Sequence, residues 1–274
     1  MNLQEKIVIL GMTDTGRVRQ KNEDSIGYDS ALGLVVLADG MGGHRGGEVA
    51  SSLAVDVIIG NIQQKLSQDA PEKNVTQTAF AAQSIYLQNA VKSANKKIFE
   101  KAETSSEQKG MGTTVVALLF HNGNLSLVHI GDSRCYRLRG SKLQQITKDH
   151  SLLQELVDRG FYTSEEAKKN VKKNLVTRAL GIELDVKVDL LEDIVLKTDI
   201  YLVCSDGLTD LVEDTDIYLT INKFRDDLEK AAMQLITMAN QNGGKDNISV
   251  ILCRVDENFS NRSDWLTKIV AWFN

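Results

Sequence analysis

The stretch Thr113–Gly140, TTVVALLFHNGNLSLVHIGDSRCYRLRG, decides the fold class. It contains three apolar, strand-like runs, Thr113–Phe120, Leu125–Ile130 and Cys135–Leu138. Asn122-Gly123, between the first two runs, is typical of a two-residue hairpin turn. Because these strands follow one another without an intervening helix, they favour antiparallel sheets with helices packed outside over a doubly wound parallel sheet.

The rest of the chain adds strands and helices to this central stretch. Further strand-like runs are Lys6–Met12, Leu32–Ala38, Ile200–Cys204 and Ile248–Val255. Apolar residues recur at helical spacing in Gly47–Leu66, Gln83–Ala102 and Asp226–Asn240. The polar segment His150–Lys173 carries two short helical patterns and is predicted to leave the sheet as an excursion. An α+β fold is therefore expected.

Composition excludes several classes of protein. The 274 residues are 25% charged and 42% hydrophobic, as in a globular protein, and the net charge of −5 argues against nucleic-acid binding. No run approaches the 18 apolar residues that a membrane span needs, and the opening MNLQEKIVILGMT is typical of a first strand rather than a signal peptide. Cys135, Cys204 and Cys253 have no disulfide or zinc spacing, which predicts reduced core thiols. We expect a cytoplasmic protein.

Three aspartates lie in glycine-containing motifs next to apolar strands. Asp39 follows one strand in LADGMGGHRGG (residues 37–47), Asp206 follows another in VCSDGL, and Asp246 precedes the last in GGKDNI. Only a fold that brings strand ends together can unite them, and their oxygen ligands suit Mg²⁺ or Mn²⁺ rather than zinc. Each motif alone also fits a structural turn. A phosphate-binding glycine loop is a weaker alternative, because GxxxxGK[ST] is missing and the acid repels phosphate.

Two further motifs carry charged residues with open interpretations. Asp132, in IGDSR between two strands, either satisfies backbone amides in a hairpin turn or joins the other acids. The segment DTGRVRQKNED, residues 14–24, interleaves cations and acids. This segment fits a surface salt-bridge patch, or a phosphate site in which an arginine binds two phosphate oxygens.

Taken in order, eight motifs resemble one family. They are DTGRVRQKNED, ADGMGGHRGGE, GMGTT, HIGDSR, TKDHS, TRALG, CSDGL and GGKDNISV, and they extend from about Gly11 to Arg254. This set resembles the metal-dependent Ser/Thr protein phosphatases of type 2C, the PPM family, in their bacterial form. The resemblance implies a four-layer α-β-β-α sandwich, with two antiparallel β-sheets flanked by helices. It implies a catalytic domain over residues 1–256, with a flap at about residues 150–176 beside the active site.

The resemblance also implies a metal centre. Asp39 matches the aspartate that bridges two metal ions, and Gly40 matches the residue whose carbonyl binds one of them. Asp206 and Asp246 match the remaining ligands of this tightly bound pair. Asp132 matches an acid that, together with Asp206, binds a third and weaker metal in bacterial members.

Four other residues receive roles through the same resemblance. Arg19 matches the arginine that grips the substrate phosphate. Glu23 and Asp24 match acids that hold metal-bound waters. His44 falls near the family's proposed general acid, although three residues intervene after Asp-Gly in bacterial forms. These assignments describe catalysis without a cysteine nucleophile, and the chain also lacks the CxxxxxR loop of tyrosine phosphatases.

The implied activity is hydrolysis of phosphoserine and phosphothreonine by direct attack of a metal-bridging water or hydroxide. Mn²⁺ or Mg²⁺ is the implied cofactor, and phosphorylated proteins, with a cognate bacterial Ser/Thr kinase, are the implied partners. Two alternatives compete with this expectation. One is a pseudophosphatase that binds phosphoproteins without turnover, and the other is a hydrolase of a different phosphoester.

The tail, residues 257–274, is expected to be a separate amphipathic element. Ser263 is a suitable N-cap, and the apolar residues that follow recur at helical spacing. They are Trp265, Leu266, Ile269, Val270, Trp272 and Phe273. The tail either docks on this protein's own sandwich or binds a partner or a second copy. Membrane attachment is disfavoured because Lys268 is the only cation of the helical segment.

Overall fold

Two antiparallel sheets stack face to face in the computed structural model, which describes residues 2–42, 46–68, 80–163, 166–167 and 175–259. The strands there are β1 (Ile7–Asp14), β2 (Asp24–Asp29), β3 (Leu34–Met41), β4 (Gly112–Thr113), β5 (Val115–His121), β6 (Asn124–Ile130), β7 (Arg134–Arg139), β8 (Lys142–Gln145), β9 (Asp189–Ile194), β10 (Ile200–Cys204) and β11 (Ile248–Val255). The first sheet has the order β1-β11-β10-β7-β8. The second has the order β2-β3-β5-β6-β9, and β4 pairs with β3.

Helices cover the outer face of each sheet. The described helices are α1 (Gly46–Gln68), α2 (Ala82–Thr104), α3 (Leu152–Asp158), α4 (Asp206–Thr209), α5 (Asp214–Lys223) and α6 (Leu228–Gln241). The pair α1 and α2 packs on the second sheet, and α5 and α6 pack on the first. The expected α-β-β-α sandwich is confirmed.

Burial on both faces explains why the central strands are almost continuously apolar. In β3, Val35 and Leu37 face the opposite sheet, whereas Leu34, Val36 and Ala38 pack under α1 and α2. The strand β11 follows the same rule, since alternate residues contact the other sheet and α6. A strand with two covered faces has no solvent side, so the polar half of the usual alternation is lost.

Three of the four edge strands are elements that the sequence patterns missed, whereas the apolar edge strand β1 was predicted. β2, β8 and β9 each end a sheet and carry charged or polar residues, as in DSIGYD, KLQQ and DLLEDI. A strand paired on one side only is partly solvated, so it needs no apolar run. By contrast, the predicted strands Ile200–Cys204 and Ile248–Val255 match β10 and β11 residue for residue.

The three cysteines lie inside the sandwich. Cys135, Cys204 and Cys253 are free and buried in the apolar core, as predicted. In the part of the chain that the structure describes, no helix has the length and apolar character needed to cross a membrane. The predicted tail helix lies outside the described residues, because the description ends at Phe259.

Candidate active site

The sandwich gathers the predicted acids at one end. Asp39 lies near the end of β3, and its partner in the antiparallel register with β2 is Asp24. Asp206 begins α4 directly after β10, and Asp246 lies just before β11. Asp132 lies in the short turn between β6 and β7. Five segments that are distant in sequence therefore supply carboxylates to one place.

Four of these five aspartates line a common cavity of about 240 Å³. Its described lining consists of Arg19, Glu23, Asp39, Gly40, Met41, Gly42, Thr114, Asp132, Val176, Asp206, Asp246 and Asn247. This lining has five acids against one arginine. The volume can hold several ions and waters, since a water occupies about 30 Å³ in the liquid.

Burial and mutual repulsion raise the pKa of the clustered acids. Loss of solvent is the main cause at Asp39 and Asp206, and the neighbouring carboxylates raise both pKa values well above the usual range. Burial likewise raises the pKa of Asp132 to about 6, with Asp149 as the next contribution. Asp24 also reaches a pKa of about 6, although hydrogen bonds from serine hydroxyls oppose the effect of burial. The cluster is therefore poorly compensated by the protein itself.

The backbone of Asp39 is held by two threonines of the GMGTT motif. The Asp39 N–H donates to Thr114 Oγ1 at 3.1 Å, and the Thr113 hydroxyl donates to the Asp39 carbonyl at 2.8 Å. Next to them, a Cβ on Gly40 would lie 2.2 Å from the Gly47 carbonyl oxygen. Only glycine fits at this position, which places the Asp39 and Gly40 backbone against the start of α1.

Asn247 organises the arginine-bearing segment around the acids. Its Nδ2 donates to the carbonyls of Thr15 (2.9 Å) and Lys21 (2.8 Å), and its Oδ1 accepts from the Glu23 N–H (2.8 Å). Its own N–H donates to Asp246 Oδ1 at 2.9 Å. No sequence pattern predicted a role for Asn247, Thr113 or Thr114, although all three lie within the motifs quoted above.

Arg19, Glu23 and Asp24 all lie at the site, but in different environments. The Arg19 guanidinium donates to Asp246 Oδ2 at 2.7 Å, and its side chain is 54% exposed. Glu23 faces the cavity, and burial is the main cause that raises its pKa. Asp24 is buried behind Asp39 and accepts a 2.6 Å hydrogen bond from the Ser249 hydroxyl. His44 lies outside the described residues.

The predicted flap is described at its two ends. Ser151 forms an isolated β-bridge with Val176, and the Leu152 N–H donates to the Leu175 carbonyl at 2.9 Å. Val176 also lines the acid-rich cavity, so one end of the flap borders the site. The Lys-rich run at residues 168–173 lies outside the described residues.

The donor set of the cavity fits hard divalent cations. It offers several carboxylates and a close-packed backbone at Gly40, and no cysteine or histidine is among its described lining residues. Such all-oxygen sites suit Mg²⁺ or Mn²⁺. Their positive charge would relieve the repulsion that raises the pKa values of Asp39 and Asp206.

Comparison with known proteins gives consistent matches. A family model for protein phosphatase 2C matches residues 15–252, a range that contains every acid of the cavity. The serine/threonine phosphatase stp of Listeria welshimeri is 39% identical over 243 residues, which is 88% of this chain and 92% of that protein. The crystal structure of the Mycobacterium tuberculosis phosphatase PstP/Ppp is 38% identical with a TM-score of 0.80, covering 92% of this chain and 100% of that one. A structure of the PstP catalytic domain with two manganese ions is 38% identical, has a TM-score of 0.77, and covers 92% of this chain and 99% of that one.

Proposed function

The chain belongs to the protein phosphatase 2C family, and we propose that its cleft hydrolyses phosphoserine and phosphothreonine in proteins with Mn²⁺ or Mg²⁺ as cofactor. The observation that carries this proposal is the convergence of Asp39, Asp132, Asp206 and Asp246 in one cavity. The expectations of family, fold and enzyme class that were drawn from the sequence are confirmed by the comparisons.

Within the cleft, we assign Asp39, Gly40, Asp206 and Asp246 to two tightly bound cations. Asp132 and Asp206 are assigned to a third, weaker one. Support comes from their common cavity and from the raised pKa values of Asp39, Asp132 and Asp206, which are caused first by burial and then by the neighbouring carboxylates. When bound, the cations screen the phosphate dianion and lower the pKa of the attacking water.

The chain's own residues supply orientation. Arg19 can hold two phosphate oxygens with one guanidinium group, provided that it exchanges its present partner Asp246 for the substrate. Its exposed side chain leaves room for that exchange. Glu23 faces the cavity and is assigned to ordered water there. Asp24, fixed by Ser249 behind Asp39, is assigned to orienting Asp39 and its water.

The proton for the departing serine or threonine oxygen is assigned to His44. An imidazole can donate a proton near neutral pH, and the leaving alkoxide requires one. The position of His44 in ADGMGGHRGGE, directly between Asp39 and α1, supports the assignment.

The substrates of this class of enzyme are phosphoproteins. We propose that a bacterial Ser/Thr kinase phosphorylates the proteins that this enzyme dephosphorylates. The bacterial origin of the similar phosphatases supports this assignment. We place the reaction in the cytoplasm, in line with three free, buried cysteines. We propose that the catalytic domain spans residues 1–256 and that the tail spans residues 257–274.

A metal-dependence assay tests the proposal. We expect turnover of a small chromogenic phosphomonoester with Mn²⁺ and its loss with excess chelator. Phosphopeptides carrying phosphoserine or phosphothreonine should be dephosphorylated faster than phosphorylated metabolites. Turnover that survives chelation would contradict the metal-dependent mechanism, and binding of phosphopeptides without turnover would indicate a pseudophosphatase.

A further inference from the structure

Two buried imidazoles lie next to the metal cavity without lining it. His129 belongs to β6 and His150 follows β8, and their ring centroids are 4.4 Å apart. Asp189 at the start of β9 completes a group whose potential ligand atoms lie within 4.8 Å of one another. His129 lies in the motif HIGDSR and His150 in TKDHS, and neither histidine has a role predicted from the sequence.

These histidines hold both polar backbone atoms of Gly131, the residue that precedes Asp132. The Gly131 N–H donates to His150 Nδ1 at 3.1 Å, and the His150 backbone N–H donates to the Gly131 carbonyl at 2.8 Å. His129 Nε2 lies 2.9 Å from the same carbonyl oxygen. Both polar atoms of Gly131 are therefore fixed by the two histidines. Gly131 has φ +106, and its neighbour Thr114 also leaves no room for a Cβ there.

The hydrogen bonds define the state of the His150 ring. Because Nδ1 accepts from Gly131, the ring proton lies on Nε2, which can donate to Asp189 Oδ2 at 3.1 Å. Arg178 Nη1 donates to the other oxygen of Asp189 at 3.1 Å. Burial, the largest cause, lowers the pKa of both His129 and His150, in line with neutral rings.

A metal ion does not fit this histidine group. The Nδ1 lone pair of His150 is occupied by Gly131, and its Nε2 carries a proton. The Arg178 guanidinium lies 3.1 Å from both that nitrogen and Asp189, so a cation placed there would meet a fixed positive charge. The group is a hydrogen-bonded support rather than a ligand set.

We infer that His150 is a positioning residue for Asp132, with Asp189 and Arg178 fixing its ring. This inference rests on the proposed function, which assigns Asp132 to the third cation. The turn that carries Asp132 consists of Gly131, Asp132 and Ser133, and Gly131 is fixed by His150 on one side. On the other side, the Ser133 hydroxyl is hydrogen-bonded to the Thr114 hydroxyl at 2.7 Å. The Asp132 carboxylate, between Gly131 and Ser133, is therefore held in the cavity that it shares with Asp206.

Three substitutions separate positioning from general stability. In His150→Asn, the amide oxygen takes the place of Nδ1 and keeps the acceptor for Gly131. In His150→Gln, the amide group of the longer side chain lies where Nε2 was, so the Gly131 N–H loses its acceptor. In His150→Ala, the Gly131 N–H loses its acceptor as well. His121→Gln is the matched control, because His121 is a partly buried histidine bonded to Ser126 at the far end of β5.

The readout is Mn²⁺ binding by calorimetry and electron paramagnetic resonance, with turnover measured over a Mn²⁺ titration. We expect His150→Gln and His150→Ala to keep both tight sites, but to weaken the third about 10-fold or more. Excess Mn²⁺ should restore their turnover. His150→Asn and His121→Gln should bind the third Mn²⁺ as the wild type does.

Two further outcomes distinguish this inference from the proposed function. If Asp132→Ala abolishes the weak Mn²⁺ site and His150→Gln leaves it unchanged, the positioning role is wrong. If Asp132→Ala also leaves the weak site unchanged, the assignment of Asp132 itself fails. Should His150→Gln not fold, ¹⁵N resonances of the wild-type histidines decide, because a proton on Nδ1 of His150 would overturn the inference.

Discussion

Clustered carboxylates dominate the chemistry at the scale of single residues. Asp39, Asp132 and Asp206 share one cavity, and the described arginine of that cavity is bonded to Asp246. Uncompensated acids in a confined space raise one another's pKa and cost stability. Such an arrangement suits a protein that binds cations, and we expect the acids to lower the stability of the metal-free fold.

The substitution Asp39→Asn tests this view at its centre. We expect turnover to fall at least about 100-fold, equivalent to about 3 kcal/mol, because the carboxylate that we propose as a ligand to both tightly bound cations is lost. The melting temperature of the metal-free protein should stay equal or rise, since the raised pKa of Asp39 means that a neutral group already suits this place. Steady-state kinetics and calorimetry measure both effects. Full activity would refute the site assignment.

Arg19→Ala tests the phosphate contact. A charge-assisted hydrogen bond contributes roughly 1.5–3 kcal/mol, so we expect KM to rise about 10- to 100-fold with a smaller change in kcat. Mn²⁺ affinity should not weaken, because the substitution frees Asp246 from its present partner. Arg17→Ala, an exposed neighbour outside the cavity lining, is the control. A raised KM in Arg17→Ala alone would move the phosphate contact to Arg17.

At the scale of elements, the sequence predicted what burial dictates and missed what pairing dictates. β10 and β11 were predicted residue for residue because both of their faces are covered, which leaves an apolar run. The edge strands β2, β8 and β9 gave no such signal, because their positions depend on a neighbouring strand rather than on their own pattern.

The site followed the same division. The acids and Arg19 could be found because their motifs resemble a known family. The residues that hold these acids in place could not be found in this way. The side chains of Thr114 and Asn247 accept hydrogen bonds from backbone N–H groups that lie 75 and 224 positions away in the sequence. No local spacing reports such contacts, since the pairing of β4 with β3 brings Thr114 to Asp39 and the stacking of the two sheets brings Asn247 to Glu23.

Deletion of residues 261–274 tests the proposed tail. Phe259, the last described residue, is buried and lies edge-on to Phe120 at 6.4 Å. We propose that the tail docks on the sandwich through its apolar residues; a small cleft beside Phe120, lined by Leu3, Leu32 and Leu66 among others, offers apolar surface close to the last described residue. The deletion should lower the melting temperature by about 3 °C or more, since about 1 kcal/mol corresponds to about 2–4 °C at this size.

Turnover of a small substrate should remain unchanged in the deletion variant, because the cavity uses residues 19–247. Both tryptophans lie in the tail, so their fluorescence in the full-length protein should be blue-shifted if the tail docks. A changed oligomeric state without a stability change would instead assign the tail to a second copy. Red-shifted fluorescence with no effect of deletion would contradict any docking.

At the scale of the whole molecule, the two stacked sheets bring acids from both sheets into one cavity. β3 brings Asp39 from one sheet, and β10 and β11 bring Asp206 and Asp246 from the other. The apolar layer between the sheets holds these strand ends at a fixed separation. Repulsion within the cavity must therefore be offset by the stability of the whole fold, which makes the pH dependence of unfolding a measure of the site.

That pH dependence has a defined sign. The pKa of Asp132 is raised to about 6 in the folded protein, against about 4 in an unfolded chain. Between these values the folded state keeps a proton that the unfolded state loses, so the free energy of unfolding falls as pH rises. Buried His129, whose pKa is lowered to about 4, acts in the opposite direction over a similar range. The wild type alone therefore cannot isolate the carboxylate.

Comparison of the metal-free wild type with Asp132→Asn isolates the contribution of the Asp132 carboxylate to the pH dependence of unfolding. We expect the variant to gain stability relative to the wild type as pH rises from about 4 to about 6, by up to about 3 kcal/mol, and the difference to level off above that. Asp56→Asn, an exposed acid on α1, should show no such trend. Excess Mn²⁺ should reduce or reverse the difference at pH 7, since cations bind the ionised carboxylate and stabilise the folded state. Thermal unfolding at a series of pH values measures the difference, and a gap that stays constant from pH 4 to 7 would mean that Asp132 titrates like a free surface acid.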